Sequence, residues 1–318
     1  MSEQRPIEGL VIKTQSGFFT VQTRRGEIVA RVRKRLLHER HETDPVALGD
    51  HVLVSVQADG SGMIEEVQPR TRAFIRQKPP AEGRRAERLP DRGKVIIANP
   101  DQVVFVFACT QPDPNPGTLD RYLVIAESQH IPAIICANKV DLVGRRAAKE
   151  LFGIYEAIGY RVIYTSATQR TGLFWLRWAL RGKVSALTGP SGVGKSSLLN
   201  ALQPGLGLAV QEISEATSKG RHTTVSSQMV RLKRGRGYLA DTPGIRSIAL
   251  FNVEPSEIDG YFPEIAPLIP HCQFSDCRHE DEPGCAVLAA VESGDVWVER
   301  YESYIRLRDE AEDVYYRC

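Results

Sequence analysis

Val184-Ser185-Ala186-Leu187-Thr188-Gly189-Pro190-Ser191-Gly192-Val193-Gly194-Lys195-Ser196-Ser197-Leu198-Leu199 reads as an apolar strand, a glycine-rich loop and the start of a helix. Its centre has the form G-x-x-x-x-G-K-[ST], and the strand before it and helix after it are the context a phosphate-binding loop needs. The glycines let successive backbone N–H groups turn inward on phosphate. The following helix adds the positive end of its dipole. Gly189, Pro190, Ser191, Gly192, Val193, Gly194, Lys195, Ser196 and Ser197 are therefore expected around a nucleotide. Lys195 is expected to reach the β- and γ-phosphates, and the Ser196 hydroxyl to ligate Mg²⁺. The loop alone specifies a nucleoside triphosphate, and an ATPase or kinase stays open at this point.

Working outward, Asn138-Lys139-Val140-Asp141 follows the apolar run Ala133 to Ala137. An aspartate there can accept hydrogen bonds from both N1–H and the exocyclic amine of guanine. Adenine has no such donor pair and would leave a desolvated carboxylate unpaired, a one-sided penalty that makes the choice of base sharp. Lys139 is expected along the base plane, with Asn138 tying this loop to the phosphate loop. Thr165-Ser166-Ala167, after the run Val162 to Tyr164, has the form of a short backbone-donor loop near the guanine carbonyl, with Ser166 and Ala167 as contacts.

On the other side, Asp241-Thr242-Pro243-Gly244 follows Gly237-Tyr238-Leu239-Ala240. Asp241 would hold Mg²⁺ through water, and the Gly244 N–H would sense the γ-phosphate. Gly220-Arg221-His222-Thr223-Thr224 lies where a first switch belongs, with Thr223 or Thr224 offering Mg²⁺ a second hydroxyl. Ile245 stands where Ras-like enzymes carry glutamine, and isoleucine cannot orient water. Intrinsic hydrolysis is thus expected to be slow unless another group helps. His222 is the candidate, with Lys195, Thr223 and Asp241 completing the catalytic set. A partner that supplies or orders the group is the alternative.

The order of these motifs is itself informative. Base motifs at 138–141 and 166–167 precede the phosphate loop at 189–196 and Asp241, the reverse of a Ras-like chain. A sheet closed and reopened at another loop keeps its strand neighbours, so a circularly permuted GTPase domain can rebuild the same site.

Further along, Cys272-x₄-Cys277-x-His279-x₅-Cys285 offers three thiolates and one imidazole, a closed tetrahedral set for one structural Zn²⁺. His271 is a nearby competitor for a ligand place. Such a module is expected to fold only with its metal. Cys109 and Cys136 sit in apolar runs and read as inert core thiols.

Residues 7–68 read as five short strands with turns at Ser16-Gly17, Gly26 and Gly60-Ser61-Gly62. An OB-fold barrel is the first choice and an SH3-like barrel the alternative. The expected organisation is an RNA-binding barrel at 1–70, a flexible linker at 71–94, an α/β P-loop GTPase domain at 95–250 and an α-helical zinc-binding domain at 251–318. Residues 1–90 carry 16 Lys/Arg against 12 Asp/Glu, 91–250 carry 20 against 11, and 251–318 carry 5 against 16. That asymmetry points to a polyanionic partner for the front of the chain. No apolar run approaches a membrane span and Met1 to Gly9 is polar, so a cytoplasmic location is expected, and a monomer is expected besides.

Together with Asn99-Pro100-Asp101-Gln102, Leu119-Asp120-Arg121-Tyr122-Leu123 and Asp276-Cys277-Arg278-His279, these motifs resemble the ribosome small-subunit-dependent GTPase A family of bacteria. The resemblance implies GTP hydrolysis to GDP stimulated by the small ribosomal subunit, and a role in late maturation of that subunit. It also implies that a hydrophobic residue at Ile245 is ordinary. The rival reading is an RNA-binding module that nucleotide merely stabilises. Arg24, Arg25, Arg31, Arg33, Lys34 and Arg35 are the candidates for rRNA phosphates. Phe18 or Phe19 would make a stacking platform if exposed, though core positions are expected.

Overall fold

The structure, a computed structural model, describes residues 5–38, 43–76, 94–206, 226–233, 237–241 and 253–316. His222, Thr223, Thr224, Gly244, Ile245 and the stretch Lys78 to Gly93 lie outside these, as do the side-chain contacts of Asp241.

The N-terminal strands are β1 (Ile7–Gln15), β2 (Phe18–Thr23), β3 (Gly26–Val32), β4 (His51–Val56) and β5 (Gly62–Val67). They close in the order β1-β2-β3-β5-β4-β1, with β3 and β5 parallel and the other pairs antiparallel. This closed five-strand order decides for the OB-like barrel over the SH3-like one. Val11, Val21, Val52, Val54 and Ile64 alternate inward and fill it. A register shift between Val11 and Lys13 marks a bulge that bends β1. Its first half pairs with β4, and its last residues, Lys13 to Gln15, pair with Gln228 to Ser226 of a strand from the central domain.

A two-stranded ribbon stands between the barrel and the central sheet in the chain: β6 (Ala73–Arg76) against β7 (Lys94–Ala98). Phe74 and Ile97 are fully buried there. The expected linker therefore does not begin at 71, because the apolar Ala73-Phe74-Ile75 supplies a strand with something to bury.

The central sheet contains β8 (Gln102–Ala108), β9 (Ala133–Asn138), β10 (Arg161–Tyr164), β11 (Val184–Thr188), β12 (Ser226–Arg231) and β13 (Tyr238–Asp241), in the order β10-β9-β8-β11-β13-β12. All pairs are parallel except β12–β13. Every residue of β8 is buried, as a central strand covered on both faces must be. Its side chains alternate: Val103, Phe105 and Phe107 join one core, and Val104, Val106 and Ala108 the other. The first core includes α2 (Pro116–Ser128) and α4 (Arg145–Ala157), and the second includes α5 (Leu173–Leu180) and α6 (Lys195–Leu202). The short helices α1 (Lys34–His38) and α3 (Val140–Val143) lie in the connections.

The C-terminal region is built from 3₁₀ turns at Pro255–Glu257, Asp259–Tyr261 and Ile269–His271, then α7 (Ala286–Ser293) and α8 (Val298–Tyr316). Among the described residues no helix is long and apolar enough to cross a membrane.

Candidate nucleotide site and metal centre

In an open parallel sheet, ligands gather at the carboxyl ends of the strands. Here β9 ends at Asn138, β10 at Tyr164, β11 at Thr188 and β13 at Asp241, so the scattered motifs emerge on one edge. The parallel register sets the Asp241 backbone beside Leu187, immediately before the phosphate loop.

The loop itself is locked from below. At Gly189 a Cβ would lie 2.1 Å from the Val106 carbonyl oxygen, and at Gly194 (φ +89°) a Cβ would lie 2.7 Å from Asn138 Nδ2. Only glycine fits either place. Lys195 Nζ donates to the carbonyls of Gly189 (2.8 Å) and Pro190 (2.6 Å), which holds its ammonium across the loop mouth. Ser196 and Ser197 stand at the first turn of α6, where unpaired helix N–H groups favour an anion. The donor set fits a phosphate chain.

The loop Asn138 to Asp141 is joined to it by direct bonds. Asn138, 1% exposed, donates from Nδ2 to the Val193 carbonyl at 2.9 Å. Its Oδ1 accepts from the Thr165 hydroxyl at 3.1 Å, so a single amide links three loops. Lys139 adopts φ +64° and donates from Nζ to the carbonyls of Gly192 (2.8 Å) and Gln111. The Val140 N–H donates to the Thr165 carbonyl at 3.2 Å. Asp141 Oδ2 accepts from the Thr168 hydroxyl at 2.9 Å, and Ser166 Oγ lies 3.0 Å from Thr168 Oγ1. The Ser166 hydroxyl first, then Thr168 and the Lys139 charge, hold the Asp141 carboxyl below the usual aspartate range against a modest burial penalty. It is an anion poised to accept hydrogen bonds. Ala167 is half-buried beside it. Burial pushes the Cys109 thiol up to about 11 and the Cys136 thiol up to about 12, in keeping with inert core cysteines.

In the C-terminal region, ligand atoms of Cys272, Cys277, His279 and Cys285 all lie within 4.8 Å of one another. His279 Nδ1 is 3.6 Å from Cys272 Sγ and 3.3 Å from Cys285 Sγ. His271 is exposed and outside the group. The other imidazole nitrogen, Nε2, faces Asp259 Oδ2 at 3.2 Å. That carboxylate fixes the ring so that Nδ1 is the free ligand, the usual support of a zinc-binding histidine. Three sulfurs and an oriented imidazole fit a structural Zn²⁺. Sequence reasoning does not find Asp259, because it lies 20 positions from His279, outside any spacing motif.

Residues 67–251 match the family model described as RsgA GTPase, and residues 8–64 that described as RsgA N-terminal domain. The chain belongs to the RsgA GTPase family. It is a GTP hydrolase with a circularly permuted GTPase domain. A Gemmatimonas aurantiaca protein named small ribosomal subunit biogenesis GTPase RsgA is 46% identical over 305 residues, spanning 95% of this chain and 96% of its own. The crystal structure of YjeQ from Thermotoga maritima superposes with TM-score 0.77 at 33% identity, covering 96% of this chain and 98% of that one. YloQ, described as a circularly permuted GTPase, superposes with TM-score 0.73 at 29% identity, covering 98% and 96%.

In this chain the C-terminal region is clamped to the GTPase domain through charge. Arg300 is 2% exposed, donates from Nε to Glu264 at 2.6 Å and pairs with Asp120 of α2. Tyr155 donates its hydroxyl to Asp120 at 2.9 Å, and Ser303 bonds the same carboxylate. The Asp120 of the matched segment Leu119 to Leu123 is thus a structural anchor. Gln102 and Asp101 play a like part: Gln102 Nε2 donates to the Ala179 carbonyl at 2.9 Å, and Asp101 accepts from the Val184 N–H at 2.7 Å. On the barrel, Arg24, Arg25, Arg31, Arg33, Lys34 and Arg35 all reach solvent. Phe18 is exposed as well, contrary to the expected core position, with the Arg31 guanidinium 4.7 Å over its ring. Phe19 is half-buried against the barrel core.

Proposed function

We propose that this chain hydrolyses GTP on the maturing small ribosomal subunit, that the subunit stimulates the reaction, and that GTP- and GDP-bound forms differ in affinity for it. The observation that carries the GTP reading is the Asn138–Val193 bond, which brings the ionised Asp141 and the phosphate loop to one edge of the sheet. The subunit reading is supported by near full-length similarity to proteins named for small-subunit biogenesis.

In this reading Asp141 takes the guanine edge, Lys139 lies along the ring, and Ser166 and Ala167 offer the guanine carbonyl a donor. Gly189 to Ser197 wrap the phosphates. Ser196, Asp241 and Thr223 or Thr224 would hold Mg²⁺, which supplies charge neutralisation at the phosphates. Lys195 stabilises charge on the transferred phosphoryl group, Gly244 senses it, and His222 orients the attacking water. Cys272, Cys277, His279 and Cys285 would hold Zn²⁺ and fix the C-terminal knuckle. The functional units are residues 1–70 on RNA, 95–250 on nucleotide and 251–318 on the ribosome. The six basic barrel residues contact rRNA phosphate, and the protein acts as a cytoplasmic monomer.

The test is single-turnover GTP hydrolysis with and without small subunits, beside co-sedimentation under GTP analogue, GDP and no nucleotide. Stimulation approaching the roughly 10³–10⁵-fold that a group ordered or supplied in trans can give is expected. An unchanged rate contradicts the proposal, and an unchanged stimulated rate in His222→Ala removes that residue from its role.

A further inference from the structure

Helix α5 is apolar on both faces. Leu173, Leu176, Ala179 and Leu180 are buried in the core shared with Val104 and Leu198. The opposite face carries Phe174, Trp175 and Trp178, which are 66%, 58% and 58% exposed. A helix that is hydrophobic all round is normally covered on all sides, and adjacent protruding rings on a surface mark a binding site. Nothing in the folding of α5 requires these rings. The inner face already closes the core, and polar residues would serve as well outside.

The surroundings say what covers the rings. Among the described residues, the groove on one side of the helix is lined by Trp175 with Arg145, Lys149, Arg161 and a single carboxylate, Glu156. The groove on the other side carries, among the described residues, Arg170, Arg177 and Lys233 and no carboxylate. The Arg161 guanidinium already sits 5.0 Å over the Trp178 ring, and Phe174 meets Trp175 edge to face at 5.2 Å. Aromatic faces flanked by cations on both sides match unpaired nucleotides, whose bases stack on rings while their phosphates take the charges. A second copy of this chain suits the face poorly, because a symmetric contact between two α5 helices would bring like-charged grooves together.

We propose that α5 is a stacking platform for a single-stranded RNA segment, with Phe174, Trp175 and Trp178 taking bases and Arg161 taking an adjacent phosphate. This adds a contact on the GTPase domain to the barrel contact proposed above, and it rests on the reading that the partner contains RNA. Gly172, the N-cap of α5, directly follows Thr171, whose carbonyl accepts from the Ser166 N–H at 3.1 Å. The platform therefore adjoins the base-reading loop of the nucleotide site.

The chain has three tryptophans, so Trp297→Phe leaves Trp175 and Trp178 as the only indole reporters. In that background the full-length protein is titrated with an unstructured RNA of about 12 nucleotides and separately with inorganic polyphosphate. RNA is expected to quench the fluorescence and polyphosphate is not. Trp178→Ala is expected to weaken RNA binding about tenfold, with GDP binding and circular dichroism unchanged. Arg161→Gln should lower the salt dependence by about one phosphate contact. Equal quenching by polyphosphate, or RNA affinity unchanged in Trp178→Ala, overturns the proposal. So does a dimer in sedimentation that Trp178→Ala abolishes, or a protein ligand that competes for the rings where RNA does not bind. Subunit-stimulated hydrolysis measured on the same proteins separates the two readings. Stimulation without RNA quenching sinks only the platform, and quenching without stimulation sinks only the functional proposal.

Discussion

Asn138 and Val193, 55 positions apart in sequence, are joined by one hydrogen bond of 2.9 Å from the side-chain amide to the backbone carbonyl. The segment Asn138 to Asp141 comes before the phosphate loop in this chain and still closes onto it in space. The same amide accepts from Thr165, so the third loop is tied in as well.

Asn138→Ala leaves the buried Val193 carbonyl without this partner, at about 1–3 kcal/mol, while the Thr165 hydroxyl keeps Cys136 Sγ and the Ala137 carbonyl within reach. A lowered melting temperature and weaker GDP binding are expected together. Thermal denaturation with and without GDP checks this; an unchanged melting temperature would mean the bond is not what holds the loops.

Because the Asp141 carboxyl lies below the ordinary aspartate value of 3.8, its acceptor form persists throughout the range above that pH. A depressed carboxyl loses its contribution only as pH falls through its own folded value. Guanine affinity should therefore show no Asp141-linked decline between pH 7 and about pH 5. Calorimetric GDP titration at several pH values, with Asp141→Ala as the reference, isolates that contribution.

Arg300→Met removes the cation from between Asp120 and Glu264, both nearly excluded from water. Breaking a buried ion pair from one side costs about 3–5 kcal/mol. The C-terminal region is expected to loosen from α2 before the GTPase domain unfolds, giving earlier hydrogen exchange in α8 than in β8. The double variant Arg300→Met with Asp120→Leu should recover part of the loss, since it leaves fewer unpaired charges.

Zinc removal is expected to melt α7 and the knuckle while GDP binding survives. Metal analysis should give about one zinc per chain, lost in Cys277→Ser. Asp259→Ala keeps all four ligands but releases the His279 ring, and should weaken zinc about 10- to 100-fold. Competition with a chelator measures both.

The strand-end loops at 138–141, 165–167 and 189–196 are legible as sequence motifs because each is contiguous and its glycine and aspartate requirements are local. The barrel strands are legible from alternation, but the choice of OB over SH3-like closure depends on β3 lying beside β5, a pairing no local pattern encodes. Three features escape for related reasons. Strand β12 is short and follows a polar stretch, and its pairing with β1 joins two domains. Asp120 reads as one more acid on a helix until Arg300 arrives from 180 positions away. Asp259 gains meaning only once the His279 ring turns toward it. Phe18 departs from its expected core position because an aromatic in a strand normally faces inward, and here Arg31 stacks on it outside.

The most direct test of a guanine site assembled from permuted loops is the nucleotide selectivity of Asp141→Asn. The wild-type chain should bind GDP and reject xanthosine diphosphate. An asparagine offers an N–H donor to the oxygen that replaces the guanine amine, so the variant should lose about 10²–10⁴-fold in GDP affinity and gain in xanthosine diphosphate affinity. Retained GDP preference in the variant would show that Asp141 does not read the base and would contradict the convergence of these loops on one nucleotide.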